Sequence, residues 1–405
     1  MKILHTADWH LGKKIDRFSR IEEQCLVMEE IVQIADQHKV DAVIIAGDLF
    51  DNFTPNIEAI ELFYKTLKRL SLGGVRPVIA IAGNHDAPKL IDAPDPLARE
   101  CGIILIGYPN AIVKNTDSSY FRIPFSKEGF FEITFSQYNY PLRIIHTPYA
   151  NESRMREELK GDKQESINQI LSEKWSALAE EFCDTKGVNI LTAHLFMNPR
   201  GGEVLEEPEG ERPIKIGNAD MIYTDIIPPQ IQYTALGHLH GFKNIGSKEK
   251  PIVYASSPLC YSFSEAGQQK YVVIIEAEPN REIKLEKIPL KNGKALVRKT
   301  FDSINKATNW LEENPDTWVE LTIEMEQFLK KEEQNQLYNV HQGIVYLIPK
   351  LKYKDDTKYT HQLVQQDINF ENVIPLFENY FKYKNGGIAP NKEILELFNE
   401  ILTIE

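Results

Sequence analysis

Four clusters of aspartate, asparagine or histidine in this chain each stand at the end of a short strand-like stretch, so the fold must either gather these clusters or bury each alone. Asp8-Trp9-His10-Leu11-Gly12 follows a strand-like stretch over 2–5. Gly47-Asp48-Leu49-Phe50-Asp51 follows a run over 42–46, and Gly83-Asn84-His85-Asp86 follows one over 78–82. Gly237-His238-Leu239-His240 follows 233–236, and His194 stands just past a further run over 190–193. Continuous apolar runs of this length fit strands buried on both faces. In layered α/β folds, ligands bind at strand ends. Residues i and i+2 of a strand share a face, so Asp8 with His10, and His238 with His240, can each grip one ion. A glycine adjoins the polar group in three of the clusters, which suits a backbone that must approach an ion or phosphate closely.

Each cluster by itself is weak. One D-x-H pair or a lone G-H-x-H fits a packed turn, and a histidine near a strand is more often a hydrogen-bonded core residue than a ligand. Their joint occurrence, each after a strand, points to a metal site. The donors are carboxylates, imidazoles and one amide oxygen, with no thiolate. That set suits Mn²⁺, Fe²⁺ or a mixed-metal centre better than structural zinc. One carboxylate can bridge two ions about 3.5–4 Å apart, as in two-metal hydrolysis.

Strand and helix patterns alternate through the first part of the chain, with helical spacing over 21–38, 57–70 and 164–182, an antiparallel pattern over 121–145, and further strands at 188–192, 252–255 and 271–275. This is an α/β pattern. The stretch 198–218, rich in Gly, Pro and Glu, reads as a long loop. A boundary is expected near Glu278-Pro279-Asn280. It gives a domain over 1–278, a small α+β unit over 279–350 with helices at 303–313 and 330–336, and a tail over 351–405 whose helices, 371–380 and 391–401, flank Asn385-Gly386-Gly387. The four cysteines, Cys25, Cys101, Cys183 and Cys260, form no C-x-x-C pair and read as small buried side chains. No apolar run is long enough for a transmembrane helix, and the opening Met1-Lys2-Ile3-Leu4-His5 reads as strand rather than signal peptide, so a cytoplasmic location is expected. A net charge of −13 argues against broad DNA binding by this chain alone and suggests that a partner supplies much of any DNA affinity.

The four clusters in this order resemble the calcineurin-like metallophosphoesterases. Within that family, Ile3-Leu4-His5-Thr6-Ala7-Asp8-Trp9-His10-Leu11-Gly12 and Ser257-Pro258-Leu259-Cys260-Tyr261-Ser262-Phe263-Ser264-Glu265 are most similar to the SbcD branch, the nuclease subunits of SbcCD complexes, related to the break-repair nucleases. The match covers about 1–276, and the remainder only in layout. The resemblance implies a four-layer αββα sandwich with a small α+β capping domain and C-terminal helices. It implies two Mn²⁺ ions, or other divalent cations such as Mg²⁺, one held by Asp8, His10 and His240, the other by Asn84, His194 and His238, with Asp48 bridging. His85 resembles the histidine that stabilises the transition state or protonates the leaving oxygen, and Asp51 the carboxylate that orients it. The implied activity is 3′→5′ exonucleolytic cutting of double-stranded DNA and opening of hairpins, in DNA repair, recombination and replication. The implied partners are an SbcC-type coiled-coil ATPase, gripped by the C-terminal helices, and a second copy of this chain through 57–70 and 94–100, with no membrane. Ser256 stands where glycine is expected and Cys260 where glutamine is common, departures that touch substrate contacts rather than ligands.

Lys13 and Lys14, just past the first cluster, are candidate contacts to DNA phosphates, against a plain solvated loop. His5 and His146 read as core histidines; His38, His341 and His361 read as surface residues; Trp9 packs beneath the site. The chain has no G-x-x-x-x-G-K-[ST] and so is not expected to handle ATP itself. Two other readings stay open: a same-fold phosphoesterase for a small nucleotide or phosphoprotein, and a scaffold without activity.

Overall fold

A computed structural model of the chain describes residues 1–205, 221–325, 329–351, 373–384 and 389–392, with 394–395 and 397–398. It divides into two compact units, Met1–Val297 and Arg298–Glu405. The division falls later than the expected boundary near Glu278. The reason is that Lys284–Pro289 pairs antiparallel with Tyr271–Glu276 and forms the edge of the first unit's sheet. Its polar, half-exposed sequence hid that strand.

Among the described residues, the first unit is built on two sheets. One runs, in spatial order, Lys284–Pro289, Tyr271–Glu276, Lys2–Thr6, Ala42–Ala46, Val78–Ile81 and Ile103–Ile106. The other runs Lys243–Asn244, Ile252–Tyr254, Tyr233–Gly237, Val188–His194, Leu142–Thr147, Phe130–Phe135, Phe121–Lys127 and Thr116–Asp117. Side chains of a strand alternate between faces, and both faces are covered here. Ala42 and Ile44 point into the layer between the sheets with Ile144, Ile190 and Ala235. Val43 and Ile45 point outward into a second cluster with Val27, Met28, Phe63 and Leu67. Hence the run over 42–46 carries no polar residue.

Helices Ile21–Gln37 and Ile57–Leu70 cover the outer face of the first sheet. Asn56 starts the second of these: its side-chain oxygen accepts from Ala59 N at 2.8 Å, satisfying a donor the helix cannot. Lys163–Phe182 covers the second sheet through Ile167, Leu171 and Trp175. Each fully buried side chain of this size contributes about 1.5–3 kcal/mol. The result is the four-layer αββα sandwich. The antiparallel expectation over 121–145 holds for Phe121–Lys127 and Phe130–Phe135. Leu142–Thr147 is antiparallel on one side only, because helix Lys163–Phe182 carries the chain back to lay Val188–His194 parallel on the other.

In the second unit, Thr317–Met325 is the middle strand between Ala295–Phe301 and Ile344–Leu351. Ala307, Leu311 and Leu337 of helices Ile304–Glu313 and Lys331–Val340 pack on Val319, Leu321 and Ile323. Val373–Lys384 is a helix, and Phe377 stacks on Phe398 with ring centroids 3.9 Å apart. Most of the loop over 198–218, the charged tract after 351, His361 and Asn385-Gly386-Gly387 lie outside the described residues.

Two readings are corrected. His341 is buried, not at the surface: its Nε2 faces Asn314 O at 3.0 Å, and Gly343 N donates to its Nδ1 at 3.0 Å, closing the end of a helix. Of the free cysteines only Cys183 is buried; Cys25 sits on the outward face of Ile21–Gln37 and is exposed. No helix among the described residues is long and apolar enough to cross a membrane.

Candidate metal centre

Parallel pairing of the strands delivers the clusters to one end of the sandwich. Beyond the ends of Lys2–Thr6 and Ala42–Ala46 the two chains stay zipped: Asp8 N donates to Gly47 O, His10 N to Asp48 O and Leu11 N to Leu49 O, at 3.0, 3.0 and 3.1 Å. Asp8 and His10 lie past the end of their strand in irregular backbone, as do His238 and His240 past Tyr233–Gly237, so the i, i+2 argument applies to neither pair. Asp8, His10, Asp48 and His238 all adopt positive φ, at 53°, 43°, 48° and 103°. Such conformations cost on the order of 1–3 kcal/mol each in a non-glycine residue and concentrate at functional sites. Gly47 is also left-handed, and a Cβ there would lie 2.2 Å from His194 Nδ1. At Gly83 a Cβ would lie 2.0 Å from Asp48 Oδ1.

Asp8, His10, Asp48, Asn84, His194, His238 and His240 are all buried, and the structure gathers their polar atoms. Asp8, His10 and His240 form one group of potential ligand atoms, and Asp8, Asp48 and His194 another. Asp48 Oδ2 lies 3.5 Å from His10 Nε2 on one side and 3.4 Å from His194 Nε2 on the other. His10 Nε2 and His240 Nε2 are 3.1 Å apart, and Asn84 Oδ1 is 2.9 Å from His194 Nε2. His238 offers its main-chain N to Asp8 Oδ1 at 2.7 Å, and its ring stands edge-on to His194. The donors come from both sheets: Asp8, His10, Asp48 and Asn84 follow strands of one, while His194, His238 and His240 lie at strand ends of the other.

The electrostatics fit cations. Burial raises the Asp8 carboxyl to about 6, and its Oδ2 has no hydrogen-bond partner. A buried carboxylate oxygen left so is costly, and a metal ion would satisfy it. Burial works against charge on Asp48 as well, but the imidazoles of His194, His10 and His85 outweigh it and hold the carboxyl well below its usual range. Burial likewise disfavours charge on His194, yet Asp48 and Asp8 push it up to about 9. Its Nδ1 donates to Ala46 O at 2.9 Å, leaving Nε2 to face Asp48 and Asn84. Oxygen and imidazole donors of this kind are compatible with divalent cations.

His85 stands beside these groups, its ring edge-on to His10 with centroids 4.9 Å apart. Asp51 meets it by an unforeseen route: His85 Nδ1 lies 2.7 Å from the main-chain oxygen of Asp51. The Asp51 carboxylate is 3.2 Å from Lys13 Nζ and 3.9 Å from His10 Nδ1. Lys13 is thus tied to Asp51, whereas Lys14 is exposed. Trp9 is fully buried and donates to Thr6 Oγ1 at 3.0 Å.

Sequence reasoning passed over the residues that clamp the turns. The Asp86 carboxylate accepts from Gly83 N, Leu49 N and Phe50 N at 2.7, 3.0 and 2.9 Å, tying the second cluster to the third. Arg154 donates to Gly83 O and Asp86 O at 2.7 and 2.8 Å. Gln24 donates to His10 O at 2.8 Å and accepts from Gly12 N at 2.9 Å. Asp86 was visible inside its cluster as a turn-capping carboxylate; Arg154 and Gln24 carry no local signal.

Comparison with known proteins agrees with this geometry. A sequence profile of the calcineurin-like phosphoesterase family matches residues 1–241. The SbcD subunit of the SbcCD nuclease from Bacillus subtilis (strain 168) is 33% identical over 409 residues, covering 99% of this chain and 97% of that protein. Among solved structures, a dimetal phosphatase from Danio rerio aligns at a TM-score of 0.41 and 11% identity over 72% of this chain and 99% of its own. The protein TT1561 of Thermus thermophilus aligns at 0.36 and 11% over 71% and 98%. The assignment rests on the first two of these matches. With the aspartate and histidine clusters inside the matched region, and an SbcD nuclease aligned over nearly its whole length, the chain belongs to the calcineurin-like phosphoesterases, in the SbcD branch, and is a metal-dependent phosphodiester hydrolase.

Proposed function

We propose that this chain is the Mn²⁺-dependent nuclease subunit of an SbcCD-type complex, cutting double-stranded DNA ends 3′→5′ and opening hairpins in DNA repair, recombination and replication. The observation that carries the reading is the convergence of imidazoles on Asp48 Oδ2 from two sides, at 3.5 and 3.4 Å. Asp8, His10 and His240 would hold one cation and Asn84, His194 and His238 the other, with Asp48 between them. Cations bound there supply Lewis acidity and lower the pKa of water.

The remaining work falls to the chain's own residues. His85 has Nδ1 fixed on Asp51 O, so its Nε2 is the atom that holds or gives the proton for the leaving oxygen. Asp51 sets that ring through its carbonyl and steadies Lys13 through its carboxylate. Lys14, exposed beside the site, is the freer ammonium for a DNA phosphate. A net charge of −13 leaves most DNA affinity to an SbcC-type ATPase, gripped by the helices after residue 372. Ile57 and Leu97, 81% and 79% exposed, suit contact with a second copy of the chain in a heterotetramer. The complex would work in the cytoplasm, on the nucleoid.

The test is cleavage of an end-labelled hairpin duplex by purified protein with Mn²⁺, with and without the ATPase. Hairpin opening, stimulated by the ATPase and abolished by chelation, is expected. Hydrolysis of bis-p-nitrophenyl phosphate but never DNA would favour a small-substrate phosphoesterase, and inactivity on both a scaffold.

A further inference from the structure

The metal ligands lie within the family-matched residues 1–241, yet one of them is gripped by a segment beyond that region. Glu265 is 3% exposed and ends the turn Phe263–Glu265, which is closed by a capping box with Ser262. Its Oε1 accepts from His240 Nδ1, Tyr261 N and Ser262 N, each at 3.2 Å. Its Oε2 accepts from Lys270 Nζ at 2.5 Å. Lys270, 5% exposed, donates also to His240 O at 2.8 Å. One buried ion pair thus holds both the ring and the main chain of a single ligand. Tyr261, from the same segment, stands edge-on to His10 and His240 at 5.5 and 5.9 Å, and its hydroxyl donates to Trp9 O.

We propose that Glu265 and Lys270 are the positioning pair of the metal site formed by Asp8, His10 and His240, an inference that rests on the two-metal reading above. An imidazole that donates one ring N–H to a carboxylate has its tautomer and orientation fixed, and its other nitrogen is the better ligand. With Nδ1 on Glu265, His240 turns Nε2 toward His10 Nε2, 3.1 Å away, where the cation would sit. Lys270 is the counter-charge that lets a carboxylate stay buried there. His194, at the other site, is held differently: its Nδ1 meets the carbonyl of Ala46, so the pair acts on one site rather than on both.

The test is Mn²⁺ titration calorimetry on the full chain, with ¹⁵N NMR of the histidine rings in the metal-free protein. Two sites are expected in the wild type, with His240 protonated at Nδ1. Glu265→Leu combined with Lys270→Met replaces the pair by apolar side chains of similar size. One site should weaken by about 10–100-fold, the other stay unchanged, and the His240 ring lose its single tautomer. Raised Mn²⁺ should restore cleavage of bis-p-nitrophenyl phosphate. Should the double variant fail to fold, Glu265→Gln carries the test, with a smaller loss at the same single site. Wild-type affinity at both sites in the folded variant overturns the positioning role. A wild-type chain that binds no Mn²⁺ overturns the two-metal reading, and the inference with it.

Discussion

Asp48 and His85 occupy neighbouring turns, and His85 N even donates to Asp48 Oδ1 at 2.9 Å, yet their removal should have separable consequences. Asp48→Ala takes away the oxygen that faces both histidine groups, so Mn²⁺ binding and cleavage should be lost together. His85→Ala leaves that oxygen in place. Calorimetry should find Mn²⁺ binding within a few-fold of wild type, while hairpin cleavage falls by about 10²–10⁴. Full activity in the His85 variant would remove it from the proton-handling role. That these side chains would gather was legible in the sequence because each cluster stands just past a strand-like stretch. The link from Asp51 to His85 was not, because it is made by a carbonyl, which every residue possesses. Nor was Arg154, which reaches Asp86 across 68 positions with no motif around it.

At the scale of elements, the turns matter as much as the strands. Gly47 sits at φ 91° with its α-carbon against the His194 ring, so Gly47→Ala adds both backbone strain and a collision. It should weaken Mn²⁺ binding at least about tenfold, a cost within the 1–3 kcal/mol expected of such strain, while circular dichroism stays that of the wild type. Binding at wild-type strength would mean that the turn has room the structure does not show. Strands buried on both faces, such as Ala42–Ala46 and Val78–Ile81, could be read from composition alone. Lys284–Pro289 could not, because an edge strand needs only main-chain partners and its side chains are free to be polar. The short pairing of Lys14–Ile15 with Phe18–Ser19 escaped for a different reason: two residues give no period to detect.

At the scale of the molecule, the layer between the two sheets of the first unit holds two acid-sensitive residues. His5 and His146 are buried, and burial lowers each to about 3 from 6.5. The unfolded chain therefore binds more protons than the folded one between those values. Stability from these residues is complete above about pH 6.5 and drains as pH falls toward 3, by on the order of 2 kcal/mol each at pH 5. Urea titrations at pH 7.5 and pH 5 should show that His146→Phe is less destabilised by the drop in pH than the wild type; an equal change in both proteins would remove His146 from the acid response. The same layer has a consequence for when the site can assemble. Asp8, His10, Asp48 and Asn84 ride on one sheet and His194, His238 and His240 on the other, held in step by interleaved aliphatic side chains such as Ile44 and Ile190 and by hydrogen bonds such as that from His194 Nδ1 to Ala46 O. A nascent or damaged chain whose sheets have not met carries only part of the donor set on each. A centre divided in this way exists only once the two sheets have closed on each other, so hydrolysis waits on the folding of the whole first unit.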